Sequence, residues 1–253
     1  MADVVLLDVQ DKIARVTINR PDQRNAVNID VCHAMRSIFD EIERDKRISV
    51  TVLRGGGEVF CAGMDLKAFA DGDGEDILFG QYGFAGFVKR QRRKPVIAEV
   101  QGAALAGGFE IMLACDMVIA AANARFGLPE AKLGLVAGAG GGLRLAQRIP
   151  RVRANEILLT GKTFGAEVAL ELGLLNAVVP KAQTQNYAID LATEIAANAP
   201  QSVAESLALS DAAFREIEDW ETNDQKLREI GKTADAREGA RAFMEKRKPR
   251  WNG

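Results

Sequence analysis

The chain has 253 residues, 47% of them hydrophobic, which is enough to bury a sizeable core in one body with an appendage. Its 33 cations and 35 acids leave a formal charge of −2, which argues against a nucleic-acid surface or a basic membrane patch. No apolar run of about 18 residues marks a membrane helix, and the opening Met-Ala-Asp-Val-Val lacks a signal-peptide pattern.

The three cysteines, Cys32, Cys61 and Cys115, are widely spaced and odd in number, as in a reduced cytoplasmic protein without disulfides. One histidine excludes His-rich metal sites. No metal, no nucleic acid and no membrane are expected.

In chain order, Val4 to Val9 and Lys12 to Asn19 read as two strands around a turn near Asp11. Arg20 to Asn25 is a Pro- and Asn-rich loop. A helix follows, capped by Asn28 or Asp30, with Cys32, Met35, Ile38, Phe39 and Ile42 at helical spacing and His33 on the polar face. Val50 to Leu53 is a short strand that ends in glycines. Phe60-Cys61-Ala62-Gly63-Met64-Asp65-Leu66 allows either a tight turn with converging amides or an ordinary strand-to-helix turn.

Asp71 to Asp76 is acidic and glycine-broken, which predicts a loop. Phe79, Tyr82, Phe84 and Phe87 follow among glycines, and either line an apolar pocket or pack that loop down. The cation run Lys89 to Lys94 has the composition of a solvated face. Val96 to Val100 is a buried strand interrupted by Glu99.

The central stretch is Gly102 to Glu110. Gly107 and Gly108 bare the backbone at the start of a buried helix, where unpaired N–H groups suit a developing negative charge. Glu110 falls in that helix's first turn, inside the apolar run Phe109 to Cys115. A strand opens near Met117, and the loop Phe126 to Ala131 delivers Glu130.

The glycine-rich run within Leu133 to Leu145 is neither a Walker A loop nor a dinucleotide fingerprint. Ala154 to Leu159 and Ala166 to Leu172 read as helices, and Val178-Val179-Pro180 as a last strand. From Thr184 to Lys246 the pattern is helical, with Leu191, Ile195, Leu207 and Phe214 among its apolar positions. These features divide the chain into a core over residues 1–183 and a helical region over 184–253.

Amides near Met64 and Gly107 that hold an oxyanion, with two carboxylates that move protons, suit proton chemistry beside an activated carbonyl. Nothing in the set requires a nucleophile or a metal.

These motifs resemble the crotonase (enoyl-CoA hydratase/isomerase) superfamily nearly end to end. The resemblance rests on Asn19-Arg20-Pro21 with Asn25-Ala26-Val27-Asn28, Phe60 to Leu66, Lys94 to Ala98 with Gln101-Gly102, Gly107 to Glu110, Phe126 to Gly134, and Ala242 to Arg247. It implies an α/β fold, a crotonase-like spiral of repeated ββα units with a C-terminal helical trimerisation region.

It further implies an acyl-CoA substrate, with coenzyme A part of the substrate and no separate cofactor. The thioester oxygen would sit on the N–H groups of Met64 and Gly107. Glu110 would deprotonate water and Glu130 would protonate Cα. Arg24, Ala26, Ala62, Asp65 and Leu66 would hold CoA, and Phe84 and Phe87 would shape the acyl pocket. Phe243 and Lys246 would reach a neighbour's CoA site within a homotrimer or hexamer.

The implied activity is hydration of an enoyl-CoA or its reverse; an enoyl-CoA isomerase is the alternative. Asp65-Leu66-Lys67, Gly83 to Gly86 and Leu128 to Gly134 resemble the carnitinyl-CoA dehydratase branch. Two departures stand out: Ala106 precedes only two glycines, and Glu99 replaces a small apolar residue.

Overall fold

A computed structural model describes residues 3–215 and 220–250. Among the described residues nine strands form two sheets. The larger has the order β1 (Val5–Gln10), β2 (Ile13–Ile18), β3 (Val50–Gly55), β4 (Val96–Val100), β6 (Met117–Ala121), β9 (Ala177–Val179). Within this sheet only the β1–β2 pair is antiparallel. The smaller holds β5 (Ala103–Leu105), β7 (Arg125–Gly127) and β8 (Phe164–Gly165).

The chain climbs by a repeating step. β4 passes into β5 and then helix α4 (Gly107–Leu113); β6 passes into β7 and then a helical turn over Pro129–Leu133. One turn earlier, β3 leads through a bridge between Cys61 and Ala104 into α2 (Leu66–Ala68). Each step places one strand in each sheet and one helix outside, which is a spiral of ββα units.

The elements follow from the sequence. Helix α1 (Ile29–Arg44) is capped by the Asn28 side chain, which accepts the Val31 N–H. It buries Val31, Cys32, Met35, Phe39 and Ile42 and leaves His33 exposed. The parallel strands β3, β4 and β6 are covered on both faces, which accounts for their continuous apolar runs.

Glu99 is the exception within β4. It is 2% exposed and stands opposite Arg54 in register, with the two charges 3.8 Å apart. Burial pushes its carboxyl pKa up, while Arg54 and Arg15 pull it down.

Two expectations change. The acidic stretch over 71–76 is helical rather than a loop: α2 continues through a wide turn over Phe69–Asp73 into α3 (Gly74–Phe79). The Asp65 carboxylate caps this segment, and Gly72, at φ 105°, absorbs the kink. Much of the cation run is also tied inward instead of solvated, with Arg93 left exposed. Arg90 pairs with Asp40 at 2.7 Å, Arg92 with Asp116 at 2.8 Å and Lys89 with Asp224 at 2.5 Å. Each cation has its acid on a different element, so the run fastens three parts of the chain together.

Beyond α5 (Gly141–Arg148), α6 (Arg151–Thr160) and α7 (Ala166–Glu171), the helical region begins with α8 (Thr184–Ala196). Its Ala188, Ala192 and Ala196 lie one turn apart and pack against Ile13, Val50, Val52, Ile97 and Ile119 of the large sheet. Leu191 and Ile195 are partly buried in the same cluster. After α9 (Pro200–Arg215), α10 (Trp220–Gly231) and α11 (Ala234–Met244) return over the body. The side chain of Phe214 lies outside the described residues. Among the described residues no helix is long and apolar enough to cross a membrane.

Helix α11 sits on the chain's own Pro129–Leu133 turn, where a β-carbon added to Gly239 would lie 2.1 Å from the Leu133 carbonyl oxygen. Replacing a mid-helix glycine by alanine ordinarily stabilises by ~0.5–1 kcal/mol. Here the sign reverses. Gly239→Ala lowers the melting temperature in a thermal scan, because α11 must lift off the turn that carries Glu130.

Candidate functional site

The site forms where two ββα steps meet. The turn after Cys61 and the start of α4 touch: a β-carbon on Gly63 would stand 3.2 Å from the Gly107 nitrogen and 3.0 Å from the Ala106 methyl. The bridge between Val27 and Met64 uses the Gly63 carbonyl and the Asp65 N–H. Neither the Met64 N–H nor the Gly107 N–H donates to another backbone group among the described residues. Gly107 is required by close approach, since a β-carbon there would meet the Phe84 ring at 2.5 Å.

Ala106, just before the helix, is held at φ 49°, ψ −129°. That conformation favours glycine and costs a residue with a β-carbon ~1–3 kcal/mol. The structure keeps the glycine-type turn although the sequence supplies alanine.

A cavity of about 460 Å³ opens beside this junction. Glu110 and Glu130 both line it and are both buried, at 4% and 8% exposure. Their surroundings differ. The Oε1 atom of Glu110 accepts the Gly141 N–H at 2.8 Å at the start of α5, and Arg144 lies within electrostatic reach. Burial still lifts its pKa to about 7. Glu130 is raised well above the ordinary carboxylate value, first by burial and then by the charge of Glu110. Its Oε2 is buried with no hydrogen-bond partner.

The two acids therefore titrate as a pair in which Glu110 ionises first, because a charge-assisted hydrogen bond favours its carboxylate. At neutral pH the arrangement holds one base and one acid side by side.

The sequence-derived candidates distribute unevenly. Arg24, Ala62, Met64, Leu66, Phe84, Gly107, Glu110, Glu130 and Phe243 all line the cavity. Ala26 and Asp65 lie behind its wall. The Ala26 carbonyl accepts from Arg20, and Asp65 pairs with Arg20 at 3.0 Å while capping α2. Lys246 is exposed past the end of α11, at φ 52°. Phe87 is not brought to the cavity; its ring is 1% exposed and lies 4.9 Å from that of Phe39 on α1. Phe243, expected at a neighbour's site, stands at the rim of its own chain's cavity because α11 packs on the Glu130 turn.

Other lining residues were not foreseen. Leu227, Arg228 and Gly231 from α10, with Lys232 just past its end, form one wall. The glycine-rich loop explains how that helix comes so near: a β-carbon on Gly138 would meet Leu227 at 2.6 Å, and one on Gly140 would meet Trp220 at 2.7 Å. The glycines give α10 room to close, and Gly141 turns its amide to Glu110. The density of these glycines is the sequence signal, and it marks helix packing rather than a phosphate loop. Among the described residues no group of three metal-ligating side chains is close enough to hold a metal.

The "Enoyl-CoA hydratase/isomerase" family model matches residues 8–253. The chain belongs to this family. It is 39% identical to the carnitinyl-CoA dehydratase of Proteus mirabilis, and the match covers 100% of both chains. Among solved structures, carnitinyl-CoA hydratase from Mycobacterium avium superposes with a TM-score of 0.93 at 42% identity, covering 100% of this chain and 99% of the other. An enoyl-CoA hydratase from Mycobacterium tuberculosis gives 0.81 at 44% identity, covering 99% of each.

The Glu130 environment has a thermodynamic consequence. A carboxyl whose pKa is higher folded than unfolded holds its proton in the native state while the unfolded chain ionises. Stability therefore falls as pH rises from the unfolded value, about 4.3, through the folded one. Glu130→Gln removes that penalty. Its melting temperature should exceed the parent's by at least ~2 °C at pH 8, with the gain shrinking toward pH 4.5 in scans across buffers.

Proposed function

We propose that this protein adds water across the α,β double bond of an enoyl-CoA thioester, or removes it in the reverse direction. The observation that carries the reading is the pair of buried carboxylates with unlike surroundings in one cavity, beside two unengaged backbone N–H groups.

The thioester carbonyl accepts hydrogen bonds from Met64 N–H and Gly107 N–H, which draws electron density away from Cβ. Ionised Glu110 takes a proton from water as its oxygen bonds to Cβ, and the negative charge arrives on the thioester oxygen as an enolate. Neutral Glu130 then gives its proton to Cα, and the C=O reforms. One proton has entered the pair at Glu110 and one has left it from Glu130, so transfer between them resets the site. Removing an oxyanion donor of this kind costs ~10²–10³ in rate, and a positioned acid or base supplies ~10²–10⁴.

The CoA portion runs past Arg24, Ala62, Leu66 and Phe243 at the rim. Ala26 and Asp65 shape the loop, and Lys246 offers a cation to a phosphate. The full-length similarity to relatives named for hydration and dehydration supports a lyase over an isomerase, which needs only one proton carrier.

Glu110→Gln and Glu130→Gln each keep the side-chain shape and lose proton transfer, so each should lower turnover on crotonyl-CoA by at least ~10² while CoA-ester binding persists. In the parent, kcat/KM falls as pH drops below about 7, because Glu110 takes up its proton there. Near-parental turnover in either variant overturns the two-acid mechanism, and loss in only one favours isomerisation.

We also infer self-association as a trimer or a hexamer of two trimers. Val152 and Leu159 on α6 and Leu209 on α9 are 77%, 77% and 76% exposed in the single chain, a surplus of apolar surface that a neighbour would cover. Sedimentation velocity should show a trimer or its double; a stable active monomer refutes the assembly.

A further inference from the structure

The cavity wall around α3 and α10 carries a feature that the proposed hydration does not use. Phe69, Leu78, Phe79 and Phe84 give this part of the cavity an apolar, aromatic lining. Phe84 adjoins the Gly107 amide, so the wall begins where the thioester would sit and extends in the direction of the acyl group. One ring in it is already occupied. The guanidinium of Arg228 lies 3.7 Å from the centre of the Phe79 ring and pairs with Glu75 at 3.0 Å. Arg228 lines the same cavity, as does Lys232 one turn further on.

Cations sit on aromatic faces because the ring quadrupole is negative there, and quaternary ammonium groups are bound in this way. Carnitinyl thioesters, named for several relatives, carry a trimethylammonium group near the end of a short acyl chain. In this chain one ring that offers such a face, Phe79, is covered by the protein's own cation. A second positive charge on this wall would also meet Arg228 and Lys232; both are exposed, so solvent screens part of that repulsion and the covered ring face is the larger obstacle. Glu75 offers only partial relief. Its side chain is 68% exposed and already paired with Arg228.

We propose that Arg228 is a selectivity residue: by occupying the Phe79 face it makes the acyl site favour short neutral, apolar enoyl groups and reject those bearing a quaternary ammonium. The inference rests on the acyl-CoA reading of the cavity. It also accounts for the apolar remainder of the lining, Leu105, Leu133, Leu135 and Leu227, which suits an uncharged chain.

The test separates binding from chemistry. Two unreactive saturated thioesters, butyryl-CoA and 4-trimethylammoniobutyryl-CoA, are titrated calorimetrically into the full-length protein, its Arg228→Gln variant and its Arg228→Lys variant. The parent should bind butyryl-CoA at least 10-fold more tightly. Arg228→Gln should narrow that ratio at least 5-fold, by improving the cationic ligand. Arg228→Lys, which keeps the charge and loses the planar stack, should fall between the two.

Equal or tighter binding of the cationic thioester by the parent overturns the inference and leaves the acyl-CoA reading standing. The same holds if Arg228→Gln weakens both ligands alike. Failure of both thioesters to bind the folded parent overturns the inference and the acyl-CoA reading together. The kcat/KM ratio for crotonyl-CoA against its 4-trimethylammonio analogue should move in the same direction as the binding ratio.

Discussion

Two buried carboxyl groups share one cavity, and this constraint shapes the structure around it. Leaving an ionised carboxylate buried and unpaired is costly, so the surroundings must decide which acid carries the charge. The decision is made by backbone amides, that of Gly141 first and that of Ala139 beside it. Gly141 N–H reaches Glu110 because α5 starts there, and α5 starts there because a run of glycines brings the chain in under α10. Glu130 has only its own backbone N–H to favour its charged form, and its Oε2 is left without a partner. A base and an acid at neutral pH thus arise from the same residue type, distinguished by where a helix begins.

Holding that asymmetry requires stiffness behind it. Glu110 is anchored by α4, whose residues from Gly107 to Leu113 are all buried. Phe109 stacks on Phe126 and Phe164 at 5.8 and 5.9 Å, which locks α4 to the small sheet; such pairs add ~0.5–1.5 kcal/mol beyond area burial. The buried Arg92–Asp116 pair ties the segment before β4 to the start of β6, with the Asp116 carboxylate also accepting the Val96 N–H at 2.6 Å. The strained Ala106 turn persists inside this frame because the elements on both sides over-determine it.

Much of this was legible in the sequence wherever a local rule and the tertiary fold agree. The α1 stripe, the apolar parallel strands and the glycine pair before Glu110 each carry their own signal. The failures have physical causes. Residues 71–76 are acidic and glycine-rich, yet the Asp65 cap and one left-handed glycine keep the chain helical there. Phe87 has an aromatic's composition for a pocket, but only the path of the chain decides that its ring faces α1. The Lys89–Lys94 cations could be read as solvated because their acidic partners, Asp40, Asp116 and Asp224, are remote in sequence. Glu99 could not be placed without the register that sets it opposite Arg54.

The same division explains why reaction and selectivity sit on different parts of the chain. The groups assigned to proton transfer and to the oxyanion sit on α4 and on turns that directly follow the strands, where buried neighbours hold them and a displaced atom costs rate. The wall facing the acyl group is built from α3 and α10, two short helices joined to each other by side-chain contacts such as Arg228 on Phe79 and Arg228 with Glu75. A substitution in that wall alters the volume and charge of the acyl site without passing through Gly107, Glu110 or Gly141. Chains that share the two carboxylates can therefore differ in the thioesters they accept, and a relative's substrate is weaker evidence for this chain's substrate than for its reaction.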